Sequence, residues 1–289
     1  MPAVLSSTRL SHATAHPPTA RSSKPGVSSR RPLNLRPLWI AGRFLTRLPF
    51  PDPGIVAPAE AGWAVPWYPF VGLLLGGLIA LVAWTLGSTD PGVAAALTLI
   101  LWVWSTGGLH LDGLADSADA WVGGLASRER TLEIMKDPRS GPAAVTAIAL
   151  ALIAKGSGLA ALIAHGEPWL LIWIPLLARV QLPLLLLTTP YARKLGMASD
   201  QVSQLPRRAA WMAVVLVLAG CLLSLGWVGG WTGVLMGLAL ALGSLLILLL
   251  ARRSMLGRIA GFTGDTAGAL VEITETLLLL AAALLATPF

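Results

Sequence analysis

Along this chain the apolar residues come in long blocks. Runs of apolar residues follow one another at about 65–86, 93–109, 142–163, 169–188, 210–227, 231–250 and 267–286. A helix rises ~1.5 Å per residue, so runs of this length suit a hydrocarbon core ~30 Å thick. The pattern predicts an all-α, polytopic transmembrane helical bundle of about seven spans. Trp63, Trp67 and Tyr68 stand at the mouth of the first run, where an aromatic belt is expected. Ahead of it, residues 35–51 alternate Arg36, Arg43 and Arg47 with Trp39, Phe44 and Leu48. That pattern predicts a short amphipathic helix lying in the membrane interface. Residues 1–34 are rich in Ser, Pro, Thr and Arg, hold no acid and offer no apolar run for a secretory signal. They are expected to be a disordered basic tail, with no function for His12 or His16, ahead of an integral-membrane domain at 35–289.

Composition sharpens this picture. The chain is 55% hydrophobic and 12% charged, against roughly a quarter charged in soluble domains, and its mean hydropathy is +0.72. The single Cys221 excludes an internal disulfide and a multi-cysteine metal site. A net charge of +7 would elsewhere point to nucleic acid. Here the bases fall at the ends of apolar runs, which points to a lipid bilayer as partner and to no nucleic acid. Lys and Arg occupy the region before the first run and the connections after runs two, four and six; the connections after runs one, three and five have none. By the positive-inside rule the N-terminus and the polar stretch at 110–119 face the cytoplasm, and the C-terminus lies outside a bacterial inner membrane.

The chemistry concentrates in a few places. In the stretch HLDGLADSAD at 110–119, Asp112, Asp116 and Asp119 are spaced i, i+4, i+7 and share one helix face. Like charges on one face repel, and a divalent cation such as Mg²⁺, held by carboxylate and phosphate oxygens, is one compensation. A solvated acidic helix end is the plainer alternative. Asp265 and Glu272 repeat the i, i+7 spacing, with Glu275 three residues further on. Lys155 lies roughly 20 Å along its helix, and Arg179 sits mid-run; they either snorkel or pair with buried acids or an anionic substrate. Arg128, Glu133, Lys136, Asp137 and Arg139 cluster before the third run. Arg193 follows the fourth, and Arg139 has the geometry of a bidentate phosphate ligand. Arg43 and Arg47, at i, i+4, would meet anionic phosphate or a lipid headgroup. No Gly-rich phosphate loop, Ser-His-Asp order or zinc spacing is present. Acids for Mg²⁺, bases for phosphates and a membrane frame point to transfer from a diphosphate donor.

At this level the motifs FLTRLPFP, HLDGLADSADAW, LEIMKDPRSGP, the Ala154-Lys155 pair, PYAR and GDTAGALVEITE resemble those of the cobalamin synthase family, the adenosylcobinamide-GDP ribazoletransferases. The resemblance runs from about residue 38 to 289. Ser117, Ala120 and Pro138 stand where the family usually has Thr, Gly and Ser, and no charged position is lost. It implies a Mg²⁺-dependent enzyme that joins adenosylcobinamide-GDP to α-ribazole, or its 5′-phosphate, and releases GMP. It leaves open a homo-oligomer or an association with other cobalamin-assembly enzymes. The expected site takes His110, Asp116 and Lys155 as catalytic groups. Arg43, Arg47, Arg128, Lys136, Arg139, Arg179 and Arg193 are the expected substrate-binding groups, and Asp112, Asp116, Asp119, Asp265 and Glu272 the expected metal ligands. Asp265 and Glu272 are expected to line one cleft with the Asp112 face. Runner-up classes are a CDP-alcohol phosphotransferase, whose usual Asp-Gly-x-x-Ala-Arg order is not met after Asp112, a membrane prenyltransferase, and a transporter using Lys155, Arg179 and Glu272 as a relay.

Overall fold

The computed structural model describes residues 35–193, 196 and 198–286. The tail at 1–34, with His12 and His16, lies outside the described residues, as does Lys194. Among the described residues there is no strand beyond an isolated bridge between Tyr191 and Phe262; all regular structure is helical.

Helix α1 (Arg36–Leu45) buries Ala41, Gly42 and Leu45 and leaves Arg43 exposed, the two-sided pattern expected of this segment. Arg36 ties it to α2 (Pro58–Ala64) through Glu60 at 2.5 Å. A 3₁₀ turn at Val65–Trp67 leads into α3 (Tyr68–Thr85). Asp90 caps the next helix, α4 (Pro91–Thr106), by accepting the Val93 amide at 3.1 Å. Gly107 and Gly108 then take φ of 61° and 71°, a left-handed pair that residues with a Cβ rarely adopt. They turn the chain by 84° into α5 (Leu109–Gly123), which carries the acidic stretch away from the direction of α4. After α6 (Arg128–Ile134) come α7 (Pro142–Ala164), α8 (Trp173–Thr188), α9 (Ser199–Ser203), α10 (Arg207–Ile259) and α11 (Gly264–Leu285).

Among the described residues five helices are long and apolar enough to cross a membrane, or six if α4 and α5 count as one broken span. The 53-residue α10 is itself two limbs. Its Gly230 has φ 57° and ψ −137°, and beyond it Gly233 lies against the Leu225 carbonyl while Gly237 meets the Leu222 and Leu225 side chains. The chain therefore doubles back through Val228-Gly229-Gly230, where the sequence places an uncharged connection. Each of the seven apolar runs thus has its helix.

The helices are not equivalent. In α8 and α11, 83% and 67% of the apolar window is buried within the bundle, against 33% in α7 and 22% in α10. So α8 and α11 form the centre, while α10 turns Leu216, Leu223, Leu242 and Leu249 outward, as a lipid-facing helix does. One apolar cluster, with Leu75, Trp102, Leu162, Leu177 and Leu279, fills one half of the bundle. A second, with Leu45, Tyr68, Leu185, Phe262 and Leu270, fills the other.

The two ends differ in chemistry. At one end the α3–α4 side, the turn at Gly166, the α10 turn and the end of α11 come together around Trp84, Glu167, Trp169, Gly229 and Leu285. At the other, arginines stitch the connections. Arg128 donates to the Ala192 carbonyl, Arg252 to that of Thr188, and Arg258 to those of Gly124 and Trp121. The acidic helix α5 lies at this basic end.

Candidate active site

Helix α5 crosses the first turns of α11 and α7. Gly113 packs so closely on α11 that a Cβ there would lie 2.6 Å from the Asp265 carbonyl oxygen, so glycine is what lets the two helices touch. That contact brings Asp265 beside the acidic face of α5. Asp112 is exposed, and Asp116, Asp119 and Asp265 are half-buried. Burial, followed by the charges of Asp112, Asp265 and Asp119, pushes Asp116 up to about 6, with Arg193 pulling the other way. Of the two acids expected to line one cleft with the Asp112 face, Asp265 borders the same pocket as Asp112, whereas Glu272 lies outside it, sealed against Lys155.

The carboxylates have different employments. Asp119 turns toward α7, where its oxygens accept the Gly141 amide at 2.5 Å and the Ala144 amide at 2.9 Å. It thereby satisfies donors that the start of a helix leaves open. Asp265 takes Arg193 at 2.8 Å. Asp112 and Asp116 carry no such partner among the described residues. Among the described residues, no three or more His, Cys, Asp or Glu side chains converge closely enough to hold a metal ion alone. Hard oxygen donors with an unbalanced charge still fit a cation such as Mg²⁺ that draws most of its shell from phosphate and water.

The second acidic pair lies deeper and is balanced. Lys155 of α7 contacts Glu272 at 2.5 Å and Glu275 at 2.6 Å, and Arg179 of α8 pairs with Glu275. All are nearly sealed: Glu272 is 3% exposed, Glu275 1%, Lys155 2% and Arg179 0%. Two cations face two anions, and Trp102 adds a ring 4.6 Å from the Lys155 ammonium. Of the partners the sequence allows for Glu272, the structure supplies Lys155. Glu275, which sequence reasoning named only as a neighbour, is the hub. Its signal was its place three residues from Glu272, on adjoining parts of one helix surface.

His110, at the start of α5, is buried, and its Nδ1 stands 3.3 Å from Arg179 Nη2. It links the acidic helix to the buried ions. The remaining expected phosphate ligands lie around the same basic end. Arg128, Lys136 and Arg139 are exposed on and after α6, and Arg139 grips Asp137 with two bonds of 2.7 and 2.9 Å that hold this carboxyl down to about 2. Arg43 and Arg47 are exposed, and the Arg47 amide donates to the Ser105 carbonyl at the end of α4, at 2.7 Å. Arg179 is apart from these, enclosed among Glu275 and His110.

Fold and site together describe an integral-membrane enzyme whose polar groups gather at one end of an apolar bundle. The chain belongs to the cobalamin-5-phosphate synthase family, whose model matches residues 37–283. It is 50% identical to the adenosylcobinamide-GDP ribazoletransferase of Pseudomonas paraeruginosa, over 86% of this chain and 98% of that protein. The proteins of that name from Stutzerimonas stutzeri and Pseudomonas fluorescens are 49% and 46% identical, over 86% of this chain and 98% and 99% of theirs. No solved structure matches the chain. The family sets aside the CDP-alcohol phosphotransferase, prenyltransferase and transporter alternatives.

Proposed function

We propose that the protein transfers the cobinamide-phosphate part of adenosylcobinamide-GDP to α-ribazole, or its 5′-phosphate, with release of GMP. The observation that carries this is the unbalanced group Asp112, Asp116 and Asp265, set among arginines at one end of a bundle belonging to a cobalamin synthase family. A ribose hydroxyl of the acceptor attacks the phosphorus farther from guanosine, and the bridging P–O bond breaks with GMP as leaving group. Asp112 and Asp116, with Asp265 once Arg193 turns to phosphate, would hold Mg²⁺. When bound, that ion offsets the charge of the diphosphate oxygens. Arg128, Lys136, Arg139 and Arg193 bind the phosphates, with Arg43 and Arg47 across the mouth. Asp116, the middle carboxylate of the α5 face, would accept the hydroxyl proton. His110, Arg179, Lys155 and Glu272 hold α5 in position from below.

The test is direct. Purified full-length protein in detergent, given both substrates and Mg²⁺, should release GMP and form the joined corrinoid. No release with either ribazole form would refute the activity. The basic end should face the cytoplasm of the inner membrane, following the positive-inside rule. Reporter fusions at Ser88, Glu167 and Gly229 should then read outside, and those at Arg128 and Ser203 inside; the reverse pattern would put the acids on the wrong side for soluble nucleotides.

A further inference from the structure

Beside the acidic face lies a pocket between α1, α3, α5, α8 and α11. Its walls include the rings of Phe44 and Tyr68, which stack at 5.9 Å with 16° between their planes, and the side chains of Leu182 and Leu186. Asp112, which is exposed, and half-buried Asp265 stand on its open side. Tyr68, in the same wall, is 1% exposed, yet among the described residues its hydroxyl has no hydrogen-bond partner. A buried phenol normally finds a partner, so an unpaired one in a pocket wall points to a group that arrives from outside.

We infer that this pocket receives the heteroaromatic base of the acceptor nucleoside, with Tyr68 donating its hydroxyl proton to a polar atom of that base. This inference rests on the transferase activity proposed above. A planar base offers π-faces to the aromatic and leucine walls and a ring nitrogen or substituent to Tyr68. The two carboxylates at the opening disfavour an anion in the interior, so an uncharged base enters and its sugar stays at the mouth. There the ribose hydroxyls lie beside Asp112 and Asp265, where the donor diphosphate is brought by Mg²⁺ and the arginines. The chemistry recognised is a neutral base attached to a hydroxyl-bearing sugar. The donor's guanine is the rival source of a heteroaromatic base, and it differs in bringing its diphosphate with it.

Steady-state kinetics on the full-length protein, varying each substrate in turn, separate these outcomes. Tyr68→Phe removes only the hydroxyl. It should raise the KM for α-ribazole about tenfold, the scale of one buried hydrogen bond lost, while the donor KM stays within about twofold. Because the hydroxyl is unpaired in the free protein, the melting temperature should not fall. Leu186→Trp, which fills the pocket, should raise the acceptor KM further and again spare the donor. If that variant does not fold, Tyr68→Phe alone decides. A rise in donor KM instead would give the pocket to guanine and overturn the inference, as would acceptor and donor KM values that both stay unchanged. Wild-type protein that transfers normally while both variants leave the acceptor KM unmoved refutes the pocket assignment alone. Wild-type protein that releases no GMP from this substrate pair refutes the activity, and the pocket assignment with it.

Discussion

Helix α11 carries carboxylates into two unlike settings. Asp265 sits in its first turn among the aspartates of α5, half-buried, where partial burial first and then the neighbouring negative charges raise Asp116 to about 6. Two turns further, Glu272 and Glu275 are sealed and matched one for one by Lys155 and Arg179. The residue types are the same and the helix is the same. What differs is the balance of charge. A buried set tolerates only near-neutrality, because each unpaired ion there costs several kcal/mol. A wetted set can keep an excess, which on the activity proposed above a cation such as Mg²⁺ would offset. On the activity proposed above, the unbalanced cluster would do the chemistry, while the balanced cluster ties α7, α8 and α11 together.

The largest expected effects test the unbalanced side. Asp116→Asn keeps the volume and removes one charge; activity should fall by about two orders of magnitude or more, as when an offsetting cation is lost from phosphoryl chemistry. Asp112→Asn should follow it. Chelation of divalent cations should abolish turnover in the wild type, and Mg²⁺ should restore it. Melting in detergent should be nearly unchanged in each case, since neither aspartate is paired or sealed. Full activity of both variants in low Mg²⁺ would break the comparison.

The balanced side should respond in the opposite currency. Lys155→Met leaves Glu272 buried without its cation and should destabilise the fold by about 3–5 kcal/mol. Lys155→Met with Glu272→Leu removes one cation and one anion and leaves Arg179 with Glu275, so much of that loss should return. Thermal unfolding in detergent reads both. A double variant no more stable than the single one would mean that Glu272 has a task other than balancing Lys155.

Much of this was legible before any coordinates. Apolar run length gave the spans, and the uncharged Val-Gly-Gly gave the hairpin inside α10, because a bilayer admits few other ways to arrange such runs. The acid spacing placed Asp112 and Asp116 on one helix surface, and the shared basic end brought Asp265 to them. What the sequence could not distribute was partners. Lys155 could have snorkelled, met a phosphate or met an acid; only the packing of α7 against α11 decides that it takes Glu272 and Glu275. The role of Glu275 as hub depends on Arg179 arriving from α8, 96 residues away in sequence. Tyr68 reads as a belt residue at the mouth of a span, and its buried, unpaired hydroxyl appears only once α1 closes over it. The stretch around Arg193 matches the family motif, but Lys194 beside it lies outside the described residues.

Asp119 offers the smallest effect and the finest test. By spacing it belongs with Asp112 and Asp116, and a metal role predicts that its replacement is as damaging as theirs. By contact it serves α7, accepting the Gly141 amide at 2.5 Å and the Ala144 amide at 2.9 Å. Gly141 lies so close that a Cβ there would meet the Asp119 carboxylate at 2.8 Å. Capping of this kind contributes about 1–2 kcal/mol, and the charge suits the positive end of a helix. Asp119→Ala should therefore lower stability by about that amount and reduce activity severalfold, through a loosened joint between α5 and α7. Asp119→Asn, whose amide oxygen still accepts one of the two bonds, should recover part of both. Side-by-side Mg²⁺ titrations then sort the three aspartates. An unchanged Mg²⁺ requirement in Asp119→Asn, beside a shifted one in Asp116→Asn, leaves Asp119 as the clamp on α7. A shift equal to that of Asp116→Asn would place its carboxylate in the metal shell, and the contact with α7 would then have to open during turnover.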